Sequence, residues 1–146
     1  SEPGEPISDS PARALANRRV LIVEDGTDNQ RLFKFYVSKA GAEVQLAENG
    51  QIGKDLALSA WRGGEPFDVV LMDMQMPVLD GYDATGQLRD AGYERPIIAL
   101  TAHAASSDRD KCLSAGCTDY LSKPVDRHEL IRTIASHLDQ SRTACA

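Results

Sequence analysis

Five side chains suited to group-transfer chemistry stand just beyond short apolar runs in this chain of 146 residues. Glu24 and Asp25 follow Val20-Leu21-Ile22-Val23, Asp73 follows Val69-Val70-Leu71-Met72, Thr101 follows Ile97-Ile98-Ala99-Leu100, and Lys123 comes shortly after Leu121. Carboxylates gathered in one pocket repel one another, so some must be protonated or a cation must neutralise them. Hard oxygen donors favour Mg²⁺, which keeps several waters and takes one or two carboxylates together with substrate phosphate. Mn²⁺ accepts similar donors. No Cys or His stands at these positions, which argues against zinc. Lys123 adds a positive charge on a long stem, and Pro124 fixes the loop that aims it. Thr101 adds a hydroxyl. The backbone N–H groups of Met74 and Ala102, one residue beyond Asp73 and Thr101, are expected to face an anion. This set suits phosphoryl transfer, in which oxygens must be neutralised and the attacker aligned. Asp73 is the expected acceptor, because a carboxylate can form an aspartyl phosphate.

The elements around these residues must bring them together. The three apolar runs above, with Glu43 to Ala47 inserted second and Thr118 to Leu121 placed last, read as five strands. The uniformly apolar runs fit strands buried on both faces. Helices are expected at 29–40, with Leu32, Phe33, Tyr36, Val37 and Ala40 on one face, and after Asn49-Gly50, with Ile52, Leu56 and Ala60 inward. Three more are expected at 82–91, 107–115 and 126–138. Gly41, Gly92 and Gly116 mark helix ends. Regular alternation predicts an α/β fold with a parallel sheet covered on both sides. A doubly wound five-stranded order of 2-1-3-4-5 is the simplest arrangement with right-handed crossovers. Ligands in such sheets bind beyond the carboxyl ends of the strands, where all five reactive residues fall.

Residues 18–139 form the expected domain. Residues 1–17, rich in Pro, Ser and Glu, read as a disordered linker or tail, and 140–146 as a flexible C-terminal tail. The sequence has no initiator Met and reads as a fragment or processed product; the lead-in suggests that a region precedes it. The net charge of −6 and the lack of a Lys/Arg cluster argue against a nucleic-acid partner. No apolar run approaches the roughly 20 residues that cross a bilayer, so no direct membrane contact is expected of this domain. Cys112, Cys117 and Cys145 lack zinc-site spacing and read as free thiols in a reducing, cytoplasmic setting.

The motifs together resemble the receiver domain of two-component response regulators, and more closely the receivers of hybrid sensor histidine kinases. They are Val20 to Asp25 with Asn29-Gln30, Met72-Asp73-Met74-Gln75-Met76-Pro77 with Asp80-Gly81, Ala99-Leu100-Thr101-Ala102, and Asp119-Tyr120-Leu121-Ser122-Lys123-Pro124. The resemblance implies a flavodoxin-like three-layer fold with Asp73 as phosphoacceptor. It implies Mg²⁺ bound directly by Asp25, mostly through water by Glu24, and by the backbone carbonyl of Gln75. Lys123 and Thr101 would hold the phosphoryl oxygens. Thr101 and Tyr120 would switch the face made by the fourth helix, fifth strand and fifth helix. The donor would be a phosphohistidine on a histidine kinase or histidine phosphotransfer domain. A monomer or weak dimer is expected, attached to a kinase that is itself membrane-anchored or soluble. A cis Lys123-Pro124 bond is also implied. Gly26 departs from the pattern, since similar receivers usually carry Asn there.

Other readings are weaker. A flavin-binding domain would place a phosphate-binding loop after the first strand, where Glu24-Asp25 would repel the phosphate. An aspartate-based phosphatase would carry a second Asp two positions after the nucleophile, where Gln75 stands. A receiver that only docks partners would be expected to lack pocket residues, and all are present. The domain is not expected to be a stand-alone enzyme, although it assists its own phosphorylation and dephosphorylation. Of the histidines, His103 lies near the pocket mouth, while His128 and His137 are expected on exposed helix surface. Trp61 is expected to pack at a helix end.

Overall fold

The structure, a computed structural model, describes residues 14–76, 78–102 and 106–145. Strands β1 (Arg19–Val23), β2 (Glu43–Ala47), β3 (Val69–Asp73), β4 (Ile97–Thr101) and β5 (Asp119–Ser122) alternate with helices α1 (Thr27–Lys39), α2 (Gly50–Arg62), α3 (Gly81–Asp90), α4 (Ser106–Ala115) and α5 (Arg127–Cys145). All neighbouring strands are parallel, in the order β2-β1-β3-β4-β5. The expected doubly wound sheet is therefore the observed one.

Strand periodicity divides the core into two layers. Val20, Ile22, Leu71, Ile98 and Leu100 pack beneath α1 and α5 against Phe33, Val37, Leu130 and Ile134. Leu21, Val23, Val70, Met72 and Ala99 face the other way, against Ala57, Ala84, Leu88 and Cys112 of α2, α3 and α4. Burying each Val, Leu or Ile contributes about 1.5–3 kcal/mol. That offsets the roughly 1–2 kcal/mol per residue needed to order the backbone. The central strands, apolar along their whole length, are thus the most strongly fixed part of the fold.

Several expectations shift. Helix α2 does not turn Ile52 inward, since that side chain is 39% exposed. Its buried positions are Gly50, Gly53 and Ala57, with Leu56 and Ala60 half-buried on the flank. A Cβ at Gly53 would stand 2.5 Å from Val23 Cγ2, so the helix lies close on β1 through its smallest residues. In α1, Phe33 and Val37 are buried with Ala40 just beyond, while Leu32 lies at the edge, 40% exposed.

The domain limits also move. Leu15, assigned to the linker, is fully buried, and its N–H donates to the Ala40 carbonyl at 2.9 Å. Residues 1–13 of that segment lie outside the described residues. At the other end α5 continues to Cys145 rather than ending before residue 140. The apolar pattern stops at Leu138, but Gln, Ser, Arg, Thr and Ala all tolerate helix, so the backbone carries on. His137 is not on open surface: its Nε2 lies 2.9 Å from Asp119 Oδ2, tying α5 to the start of β5. His128 is exposed, as expected. Trp61 packs edge-on against Tyr93 at the end of α2, with ring centroids 5.3 Å apart.

Arg89 holds the end of the sheet remote from the strand carboxyl termini. Its Nε donates to the Gly116 carbonyl at 2.9 Å, and Nη1 donates to the carbonyls of Tyr93 and Arg95 at 2.8 and 2.9 Å. Burial pulls its pKa below the usual value, yet a guanidinium remains charged. Gly116 sits at φ +114° in the turn that ends α4, close against the Arg89 stem. Arg89→Met should therefore lower unfolding free energy by about 2–3 kcal/mol, since three carbonyls lose charge-assisted donors. Urea unfolding measures this, and a loss below about 0.5 kcal/mol would show that water replaces the guanidinium freely.

Candidate functional site

At the carboxyl end of the sheet, β1 and β3 lie side by side, with Val23 opposite Met72. Their next residues are therefore neighbours. Glu24 extends the ladder, its N–H donating to the Ala47 carbonyl at 2.9 Å. One carboxylate oxygen from each of Glu24, Asp25 and Asp73 falls in a group whose members lie within 4.8 Å of one another. Glu24 and Asp73 are buried, and Asp25 is exposed at the mouth.

Lys123 enters from the far side of β4. Its N–H donates to the Thr101 carbonyl at 2.7 Å, which fixes the start of the lysine's reach. Its Nζ stands 3.2 Å from Glu24 Oε1 and 3.3 Å from Asp73 Oδ2. The Lys123-Pro124 peptide is cis. Three carboxylates thus face one ammonium, and negative charge is in excess. Burial, with a smaller push from Glu24, raises the Asp73 carboxyl from 3.8 to about 6, while the Gln75 N–H and Lys123 act in the opposite direction. Burial is thus the main cause, and the neighbouring carboxylate adds to it. The site's donors are all hard oxygens, which fit Mg²⁺ and leave nothing for a soft metal to prefer.

The other expected residues are distributed as follows. Thr101, at the end of β4, is buried one step beyond Leu100, the register partner of Asp73. Ala102 follows it and is exposed. Tyr120 stands on β5 opposite Ala99 and is half-buried against the α2–α4 layer. Pro124 is exposed beside Lys123. Met74 requires a correction. Its N–H donates to the Leu100 carbonyl at 3.0 Å, because the β3–β4 ladder runs one residue past the strand, and so it does not face an anion. The N–H turned to the acceptor is that of Gln75, which donates to Asp73 Oδ1 at 3.1 Å. His103 and Pro77 lie outside the described residues.

Two supports stand among the motif residues quoted above, but the sequence assigned them no role. Gly81 opens α3 directly on the Asp73 carbonyl, leaving no space for a Cβ. Gln30 donates from Nε2 to the Glu24 carbonyl at 2.7 Å. A polar residue on a helix reads as solvent-facing, so spacing alone does not reveal it. Gly26 has φ −83° and ψ 125°, extended backbone open to any residue, and its N–H donates to Glu24 Oε2 at 2.9 Å.

An acidic triad at strand ends with a lysine bridged across it defines a phosphoryl-accepting α/β domain. The model of the response regulator receiver domain matches residues 20–135, and the chain belongs to that family as a receiver of a two-component phosphorelay. It is 36% identical over 135 residues to "Hybrid signal transduction histidine kinase I" of Dictyostelium discoideum, covering 87% of this chain and 8% of that protein. The chain thus spans a small part of that kinase. Among solved structures, the receiver of sensor histidine kinase PA1611 from Pseudomonas aeruginosa is 40% identical, with a TM-score of 0.73 over 85% of this chain and 99% of that one. That structure has magnesium coordinated in its active-site cleft. The receiver of Saccharomyces cerevisiae Ssk1, co-crystallised with the histidine phosphotransfer protein Ypd1, is 33% identical, with a TM-score of 0.77 over 87% of this chain and 92% of that one.

Proposed function

We propose that Asp73 accepts a phosphoryl group from a phosphohistidine on a histidine kinase or phosphotransfer domain. The observation that carries this reading is the Asp73 carboxylate, held 3.3 Å from the Lys123 ammonium inside an acidic cluster. An Asp73 oxygen attacks phosphorus, the P–N bond breaks, and its electron pair returns to the imidazole, which takes a proton from solvent. Lys123 then keeps a phosphoryl oxygen as counter-charge, and the N–H groups of Gln75 and Ala102 supply neutral donors. Asp25, Asp73 and the Gln75 carbonyl would hold Mg²⁺, with Glu24 acting through water. When bound, that cation neutralises phosphoryl oxygens and offsets the carboxylate repulsion.

Thr101 and Tyr120 link the pocket to the α4–β5–α5 face, and we assign them the switch. The parent protein is proposed to be a hybrid sensor histidine kinase, with this domain in the cytoplasm. Among the described residues no helix is long and apolar enough to cross a membrane.

Treatment with acetyl phosphate and Mg²⁺ should add one phosphoryl group per chain, read by intact mass. Chelation should prevent it, and so should Asp73→Asn. Label persisting in Asp73→Asn at the parent level would sink the assignment. No label in the parent, with no binding of Mg²⁺ or beryllofluoride, would favour a domain that only docks. A transfer profile against phosphorylated kinases and phosphotransfer domains identifies the donor.

A further inference from the structure

The loop that carries Glu24 and Asp25 enters α1 without a side-chain cap. Helix α1 begins after Gly26, which has no side chain and gives the first turn no side-chain cap. A helix start leaves several N–H groups without partners, and a Ser, Thr, Asp or Asn at this point would fix both the helix and the entering chain. Here the loop is fixed from within the helix. Gln30 sits in its first turn through its own N–H, which donates to the Gly26 carbonyl at 2.9 Å. Its side chain reaches back six residues to donate to the Glu24 carbonyl at 2.7 Å.

That carbonyl belongs to the peptide joining Glu24 to Asp25. Rotation of this peptide would swing the Asp25 carboxylate, which stands at the exposed mouth. The Glu24 side chain has its own tethers, the Gly26 N–H at 2.9 Å and Lys123 Nζ at 3.2 Å. Its backbone N–H is held by Ala47. The carbonyl side of the loop is where Gln30 acts. We infer that Gln30 is a positioning residue for divalent-cation binding: its amide locks the Glu24-Asp25 peptide and so sets the Asp25 carboxylate for the metal. The inference rests on the metal reading above, and it gives Gln30 a role through the acidic pair rather than through contact with cation or phosphate.

The test uses Gln30→Met, which keeps length and helix propensity but removes the donor. Gln30→Ala is the second variant, with the same loss and a better helix former. Mg²⁺ affinity is measured by calorimetry, and amide hydrogen exchange is measured on metal-free protein. Loss of a group that orients a metal ligand typically costs ten-fold or more in affinity, so the Mg²⁺ Kd should rise about ten-fold in both variants. Exchange at Gly26 should quicken, while exchange at Leu21 and Ile22 stays at the parent rate. A Kd within two-fold of the parent overturns the inference. So does a weaker Kd accompanied by equally faster exchange at Leu21 and Ile22, which marks general destabilisation. If the parent itself binds no Mg²⁺, the metal reading fails, and the role in cation binding fails with it. Gly26 exchange in the variants then still separates a working clamp without a metal from no clamp at all.

Discussion

In metal-free buffer at pH 8, Asp73→Asn should be more stable than the parent protein by about 1–2 kcal/mol, although it takes no phosphoryl group when Mg²⁺ is restored. Substitutions of buried residues usually destabilise, so the sign is diagnostic. The Asp73 carboxyl is raised to about 6 in the folded protein, from the ordinary 3.8 that the unfolded chain retains, chiefly by burial. Between those values the folded state holds a proton that the unfolded chain has released. Stability therefore falls as pH rises through that window, and the penalty is full above it. A shift of this size corresponds to at most about 3 kcal/mol. The amide recovers less, because the oxygen that accepts from Gln75 leaves its NH₂ end towards Lys123. Unfolding curves in urea from pH 3 to 8 with a chelator provide the measurement. The variant should separate from the parent above pH 4 and converge with it below. Mg²⁺ should reverse the order near neutral pH, since a ligand at one hundred times its Kd adds about 2.7 kcal/mol to the state that binds it. Parallel pH profiles for the two proteins would mean that Asp73 carries no such burden.

The sequence made the sheet and the acidic pocket visible for one physical reason. Strands buried on both faces must be apolar throughout, so the first polar residue after each run marks the strand's end. Glu24, Asp73 and Thr101 stand out in this way, and the strand order then makes them neighbours. What remained hidden lacks a side-chain signature. The inner face of α2 is made by Gly50, Gly53 and Ala57, which give no apolar period to count. Met74 was expected to present its N–H because it follows the acceptor, but the β3–β4 ladder extends past the strand and takes that donor, leaving the role to Gln75. Leu15 and Ile7 are the two large apolar residues of a lead-in rich in Pro, Ser and Glu, with no periodicity to mark either, and only tertiary contact places Leu15 in the core. His137 faces Asp119 across two elements, a pairing that local spacing does not contain.

Glycine supplies the second large effect, because two glycines in α3 should respond to alanine with opposite signs. Gly86, in the helix interior, has nothing within 4 Å of the position a Cβ would take. Gly86→Ala should stabilise the protein by about 0.5–1 kcal/mol through helix propensity and a less flexible unfolded chain. Gly81 is the first residue of the same helix, and its N–H donates to the Met74 carbonyl at 3.1 Å. A Cβ there would overlap the Asp73 carbonyl oxygen and stand 2.7 Å from Met74 Cα. These are backbone atoms of the acceptor and of the residue after it, so relief requires moving either α3 or the Asp73-Met74 peptide. Gly81→Ala should cost about 3 kcal/mol, the upper part of the usual range for overpacking. At about 2–4 °C per kcal/mol for a domain of this size, the two variants should melt roughly 10 °C apart. Movement of the Asp73 peptide should also weaken Mg²⁺ binding in Gly81→Ala and leave it unchanged in Gly86→Ala. If Gly81→Ala melts at or above the parent temperature, the close approach of α3 is not a constraint on the acceptor.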